Sequence, residues 1–165
     1  MLRCLASMTQ PKPQVRAARA EDLEALVAGN VALAQETERM RLDVETLRAG
    51  ILELLESRAP GRYWIAELER RVVGQLLITF EWSDWRNRMV WWIQSVYVEP
   101  DVRGRGILRT LYDIVRHEAQ AAGAGGLRLY ANTHNVRAHA VYAALGMNGD
   151  HYRVFEDMFD EPSPL

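Results

Sequence analysis

The chain has 165 residues, 48% of them hydrophobic and 25% charged, with a formal net charge of −2. That length suits one domain with a real core, and the charge excludes a general nucleic-acid binder, which carries a large basic excess. Cys4 is the one cysteine, so an internal disulfide and a cysteine-cluster zinc site are excluded, and a reducing compartment such as the cytoplasm is expected. The apolar part of the opening residues is too short for a secretory signal, and no run approaches a membrane span. Residues 1–13 read as a loose tail, with Met8 as an alternative start, and residues 161–165 as a second tail.

Residues 14–18, QVRAA, predict a first strand. A helix follows over RAEDLEALVAGNVALAQ, with Leu23, Leu26, Val27 and Leu33 near helical spacing and Glu21 and Asp22 in its first turn. DVETLRAGILELLES predicts a second helix capped by Asp43, its face formed by Val44, Leu47, Ile51, Leu54 and Leu55. Pro60 and Gly61 end that region. RYWIAELE and RRVVGQLLITFEW predict a hairpin turning near Glu69 and Arg70. SDWRNR is a polar loop and MVWWIQSVYVEP a long apolar strand, on which neighbours Trp91 and Trp92 face opposite sides. A helix over ILRTLYDIVRHEAQAAG carries Ile107, Leu111, Ile114, Val115 and Ala119 on one face and stops at Gly123. GLRLYAN predicts a short buried strand, NVRAHAVYAALG a helix, and DHYRVFEDMF a last alternating strand. The pattern is mixed α/β within residues 14–160.

One stretch concentrates glycine and positive charge between a strand and a helix: Arg103, Gly104, Arg105, Gly106 and, one turn on, Arg109. A helix N-terminus presents unpaired N–H groups to an anion, and glycine lets the backbone come close. The three arginines add charge-assisted contacts. A glycine-bearing turn with solvated arginines is the alternative. No lysine follows the glycines, so the turn is not a P-loop. Arg109 and Thr110 stand where the third glycine of a dinucleotide fingerprint is expected.

The turn RGRGIL resembles the pyrophosphate motif of the GCN5-related N-acetyltransferases, Gln/Arg-x-x-Gly-x-Gly/Ala, through Arg103 and Gly106, with Leu108 where that family has a small residue. A second stretch, NVRAHAVYAALGM, resembles the downstream family motif through Asn135, Ala138, Tyr142, Leu145 and Gly146, with Met147 replacing phenylalanine. The nearest local likeness is to the diamine and thialysine acetyltransferase branch. The resemblance implies a mixed sheet splayed between its fourth and fifth strands, flanked by about four helices, with acetyl-coenzyme A in the opening. It implies that the backbone of Ser95, Val96 and Val98 binds the acetyl and pantetheine groups. It implies that residues 103–106, with Leu108 and Arg109, bind the pyrophosphate, that Asn135 contacts the pantetheine arm, and that Tyr142 protonates the departing thiolate. Asn135 is equally a helix cap and Tyr142 a core tyrosine by position alone.

The acceptor amine must be neutral to attack, and its proton needs somewhere to go. In the branch just named an acidic residue aligns with Gln94, which cannot be a base and instead positions water or acceptor. Glu81, Trp82, Asp84 and Trp85 combine carboxylates with aromatic rings, a set that holds a cationic amine, and Glu81 is the candidate base. Glu36 and Glu38 lie between the first two helices, where this fold borders its acceptor pocket. Solvated surface acids are the competing explanation for both groups. His117, His134, His139 and His151 have no metal-ligand spacing, and Ser95 lacks a nucleophile-elbow setting. The expectation is an acetyl-CoA-dependent, metal-free N-acetyltransferase acting on a small-molecule primary amine, without nucleic-acid or membrane partners and as a homodimer. A non-catalytic acyl-CoA-binding or regulatory module, or a peptide N-acetyltransferase, is the alternative.

Overall fold

The computed structural model describes residues 11–57 and 60–159. Five strands form one sheet in chain order: β1 (Gln14–Ala17), β2 (Gly61–Leu68), β3 (Arg71–Ser83), β4 (Arg88–Val98) and β5 (Leu127–Leu129). The first four pair antiparallel, and β5 joins β4 parallel. Four α-helices flank the sheet: α1 (Leu23–Leu33), α2 (Val44–Ser57), α3 (Ile107–Ala121) and α4 (Val136–Ala144).

Period-two alternation sends the sheet's side chains into two cores. On one face Trp64, Ala66, Leu76, Ile78, Trp91 and Ile93 meet Ile107, Leu111, Tyr112 and Val115 of α3. On the other, Tyr63 and Ile65 meet Leu26 and Val27 of α1 and Ile51 of α2. Helix α3 comes close to β3 because Gly74 has no side chain. A Cβ there would stand 3.1 Å from Ile107 Cγ2 and 3.2 Å from Leu111 Cδ1.

Most predicted elements are present within a few residues of their expected ends. The β2–β3 hairpin turns at Glu69 and Arg70, both with positive φ, as the right-handed twist of the strands requires. Asp43 caps α2 by accepting from the Thr46 N–H at 2.8 Å. The predicted first helix is instead three pieces: a 3-10 turn at Ala20–Asp22, α1, and a widened π turn at Ala34–Glu38 that ends on left-handed Arg39. On α3 the predicted core residue Ile114 is exposed and Tyr112 is buried.

The last predicted strand is a correction. Residues 150–159 form no strand, and Phe155 and Phe159 are 93% and 94% exposed. Alternation alone does not make a strand, because each backbone group needs a neighbouring chain to bond. Here no neighbouring strand accepts it, and β5 is itself only three residues long.

Candidate active site

The site begins with a sheet that comes apart. Strand β5 pairs with β4 only at Trp91↔Leu127, Trp92↔Arg128 and Ile93↔Leu129. Beyond Ile93, β4 keeps its antiparallel partner β3 but has none on the β5 side. The departure coincides with a bulge. Leu77 pairs with Ser95 and Ile78 with Ile93, which leaves Gln94 as the extra residue. A bulge bends its strand and re-aims the residues after it. The Glu99 N–H bonds to Val73 of β3, so by alternation the amides of Val98 and Val96 point the opposite way, into the splay. The Ser95 hydroxyl is buried near the Tyr63 hydroxyl without a hydrogen bond of good geometry.

The open edge of β4 leads into the glycine turn. Pro100–Val102 forms a 3-10 turn, fixed by buried Val102 and by Arg71, whose guanidinium donates to both oxygens of Asp101 at 2.7 and 3.0 Å. Gly104 and Gly106 then take φ of 80° and 79°, the left-handed region that only glycine adopts without strain. Nothing lies within 4 Å of where their Cβ atoms would be, so the space over both residues is open. Helix α3 starts from Gly106 with no side-chain cap, and Thr110 N–H is the first to bond back, to the Gly106 carbonyl at 3.0 Å. Among the described residues, the N–H groups from 104 to 109 have no acceptor. This run of donors at a helix N-terminus suits a diphosphate. The open glycines, the unpaired β4 edge and the amides of Val96 and Val98 together fit an extended nucleotide-linked thioester such as acetyl-CoA.

The three arginines divide their work. Arg103 faces away from the turn: its Nε donates to Val98 O at 2.7 Å, its Nη2 to Glu36 Oε2 at 2.7 Å, and its guanidinium lies 5.6 Å from the Tyr97 ring centre. Arg109 donates to Ala144 O at 3.0 Å and ties α3 to the end of α4. Arg105 is exposed. Leu108 sits in the first turn of α3, half-buried. The turn is therefore built mainly from backbone, with arginine as scaffold at two positions.

Residues 34–38 cross the mouth of the splay. Glu36 reaches Arg103 at the β4 end, and Glu38 accepts from Asn132, just past β5, at 3.2 Å. Behind this strap, Glu81 of β3 accepts from Trp92 Nε1 at 2.5 Å and from Arg128 Nη1 at 2.9 Å. Gln94 donates to Thr79 Oγ1 at 2.8 Å. Trp82 points to the face opposite Glu81, and Asp84 and Trp85 lie at the tip of the β3–β4 hairpin. The structure thus gathers Glu36, Glu38, Glu81 and Gln94 about the splay and leaves Trp82, Asp84 and Trp85 at its far end.

On the remaining side, Asn135 caps α4, accepting from the Ala138 N–H at 3.0 Å. Tyr142 is half-buried, and burial pushes its phenol above the usual tyrosine value. Thr79, Arg128, Tyr130 and Asn132 were not among the sequence candidates. Alternation along GLRLYAN, a signal present in the sequence, does put Arg128 and Tyr130 on the face opposite Leu127 and Leu129, which are half-buried against the core rather than fully buried as the sequence suggests. Among the described residues no cluster of three His, Cys, Asp or Glu side chains suits a metal, and no helix is long and apolar enough to cross a membrane.

Residues 29–147 match the model of the acetyltransferase (GNAT) family. The chain belongs to that family. The match runs from within α1 to the third residue after α4 and so contains the splay, the strap and the glycine turn. A possible acetyltransferase from Clostridium difficile 630 is 35% identical, with a TM-score of 0.83 over 90% of this chain and 99% of that one. The thialysine N-epsilon-acetyltransferase of Bos taurus is 37% identical over 75 residues, 46% of this chain and 44% of the bovine protein. The match thus spans less than half the length of that relative. An aminoglycoside acetyltransferase from an uncultured soil metagenomic sample shares the fold at 16% identity and a TM-score of 0.73, over 90% of this chain and 97% of that one.

Proposed function

We propose that the chain is an N-acetyltransferase that moves an acetyl group from acetyl-CoA to a primary amine of a small molecule. The observation that carries this is the continuity of free backbone donors, from the Val96 and Val98 amides through the N–H groups of residues 104–109. A β4 edge with such donors holds an extended arm, and a helix start holds its diphosphate. When bound, acetyl-CoA supplies an acetyl group activated as a thioester.

The chain's residues then have separable tasks. The Val96 N–H donates to the acetyl carbonyl oxygen as charge develops there. The acceptor nitrogen, in its neutral form, bonds to the acetyl carbon while the carbon–sulfur bond breaks. Tyr142 gives its phenolic proton to the departing sulfur, and the proton lost from nitrogen passes through water and restores the phenol. Burial supports this role, because it keeps Tyr142 protonated at neutral pH. Glu81 has both oxygens engaged, so we assign it to holding Trp92 and Arg128 rather than to meeting the amine directly. Gln94 and the strap residues Glu36 and Glu38 border the acceptor. The working domain is residues 14–160, and a cytoplasmic location is part of the proposal.

A homodimer also belongs to this proposal. Tyr152, Val154, Phe155, Met158 and Phe159 stand exposed on an arm with no strand partner, an apolar row of the kind that marks a protein contact. The occupant is a second copy of the chain, whose matching arm and short β5 edge have the same unmet needs.

The second reading, an acyl-CoA-binding regulatory module, is favoured by neutral Gln94 at the mouth of the splay. Thiol release from acetyl-CoA, with a panel of small amines, amino acids, aminoglycosides and peptide N-termini, separates the two. Turnover with a small amine is expected. Tight acetyl-CoA binding without thiol release on any acceptor overturns the enzyme reading.

A further inference from the structure

A row of polar side chains crosses the core behind the splay, and its last member is unpaired. On α1, Asn30 Nδ2 donates to Leu26 O at 2.9 Å and to Tyr63 Oη at 3.2 Å. A carbonyl only accepts, so Leu26 O fixes which end of the Asn30 amide is nitrogen, and both hydrogens of that nitrogen are spent. The Tyr63 oxygen therefore accepts from Asn30, and its own hydrogen is left to donate. Burial raises the Tyr63 phenol above its ordinary value, which keeps that hydrogen in place at neutral pH. The oxygen beside it is Ser95 Oγ, which is buried and has no hydrogen bond among the described residues. A buried hydroxyl without a partner is rare and costly.

Register explains how residues of three elements meet. Tyr63 pairs with Leu77 and Leu77 with Ser95, so the three stand in line across β2, β3 and β4. Tyr63 reaches over Leu77 on the face that α1 covers, a crossing of two strand spacings or roughly 10 Å. Helix α1 is seated tightly there. Gln75 Nε2 also donates to Leu26 O, at 3.2 Å, and a Cβ on Gly29 would collide with Gln75 Oε1. The Ser95 end of the row is held less firmly. The bulged residue Gln94 precedes it, and β5 has already parted from β4. The carbonyl carbon of Ser95 is bonded to the nitrogen of Val96, whose N–H points into the splay. Turning that peptide moves the Ser95 side chain and the Val96 N–H together.

Building on the acetyl-transfer reading above, we propose that Asn30, Tyr63 and Ser95 are positioning residues that aim the Val96 N–H at the thioester carbonyl. In the free protein the Tyr63–Ser95 bond is open. When the carbonyl oxygen draws in the Val96 N–H, the peptide turns and brings Ser95 Oγ into line with the Tyr63 hydroxyl. Active-site hydrogen bonds are often long in a free enzyme and tighten in its complex. This one closes fully as negative charge grows on the carbonyl oxygen. It therefore favours the transition state over the ground state and shows in kcat rather than in affinity.

The test starts from Ser95→Ala, which deletes an atom that has no bond in the free protein. Its melting temperature is expected to stay at the wild-type value. In thiol-release kinetics its kcat is expected to fall about tenfold, the worth of one hydrogen bond, with acetyl-CoA affinity within about twofold. Tyr63→Phe is expected to show the same loss in kcat, and the double variant no more than the larger single loss, because both remove one bond. Ser95→Thr keeps the hydroxyl and is expected to keep most of the rate. Infrared spectra of bound acetyl-CoA, labelled with carbon-13 at the thioester carbonyl, read the same device without turnover. The carbonyl band is expected at lower frequency in the wild type and Ser95→Thr than in Ser95→Ala and Tyr63→Phe. One frequency in all four proteins, or additive rate losses, overturns the positioning role and leaves acetyl transfer standing. A wild-type chain that binds no acetyl-CoA overturns both.

Discussion

Arg103 and Glu36 are 67 positions apart in the chain and 2.7 Å apart in space. Their ion pair joins the strap between the first two helices to the start of the glycine turn. Arg103 also holds the carbonyl of Val98, whose amide faces the splay. The pair thus links the two sides of the site, the one that would hold acetyl-CoA and the one that would receive the amine.

A partly exposed pair of this kind is worth about 0.2–1 kcal/mol, so Arg103→Ala and Glu36→Gln should each weaken acetyl-CoA binding by at most about fivefold. The double variant should lose little more than the worse single one, because both remove one interaction. Calorimetric titration of all four forms gives the cycle. Additive losses would mean that Arg103 touches the ligand independently of Glu36.

Gly106 tests the turn itself. Its φ of 79° belongs to the left-handed region, where a side chain costs about 1–2 kcal/mol. Gly106→Ala should therefore weaken acetyl-CoA binding by about tenfold and lower the melting temperature, although no atom obstructs the new methyl group. Binding equal to wild type would show that the helix start does not hold the diphosphate.

Tyr142→Phe removes the proposed proton donor and keeps the ring. Turnover should fall on the order of 10²-fold, while acetyl-CoA affinity stays within twofold of wild type. A matching loss in both would make Tyr142 a packing residue.

The sequence made parts of this site legible and hid others for physical reasons. Gly104 and Gly106 were readable because a strand-to-helix turn with positive φ requires glycine, and Asn135 because caps are local. The bulge at Gln94 was hidden because the adjacent polar residues Gln94 and Ser95 interrupt WWIQSVYV without marking which position is unpaired, and the register is set by the partner strand β3. The Arg103–Glu36 and Glu81–Arg128 pairs join residues far apart in the chain, and nothing local marks a partner at that distance. Residues 150–159 show the converse failure: a good alternating pattern without a neighbouring edge to make it a strand.

Stability should depend on pH at both ends. Burial raises the phenols of Tyr63 and Tyr142 above their ordinary value of 10.0. The folded state therefore favours the neutral ring; its stability is complete below pH 10 and is lost as pH rises through the folded values. At the acid end, burial works to raise the Asp22 carboxyl. Hydrogen bonds from Arg16 and the Arg19 N–H, with the charges of both arginines, outweigh it and hold the carboxyl below 3.8. That contribution is complete above pH 3.8 and is lost as pH falls through the folded value. Melting temperature measured across pH should show a plateau with shoulders at both ends. Arg16→Met, which leaves buried Asp22 short of its main partner, should cost about 3 kcal/mol and remove the acid shoulder.

In the proposed function the free β4 edge and the glycine turn present acetyl-CoA to an amine. Mass spectrometry of small amines incubated with protein and isotopically labelled acetyl-CoA tests it most directly. The labelled acetyl group is expected on the amine nitrogen, with stoichiometric release of free thiol and loss of product in Tyr142→Phe. Saturable acetyl-CoA binding with no labelled amine from any acceptor would contradict it.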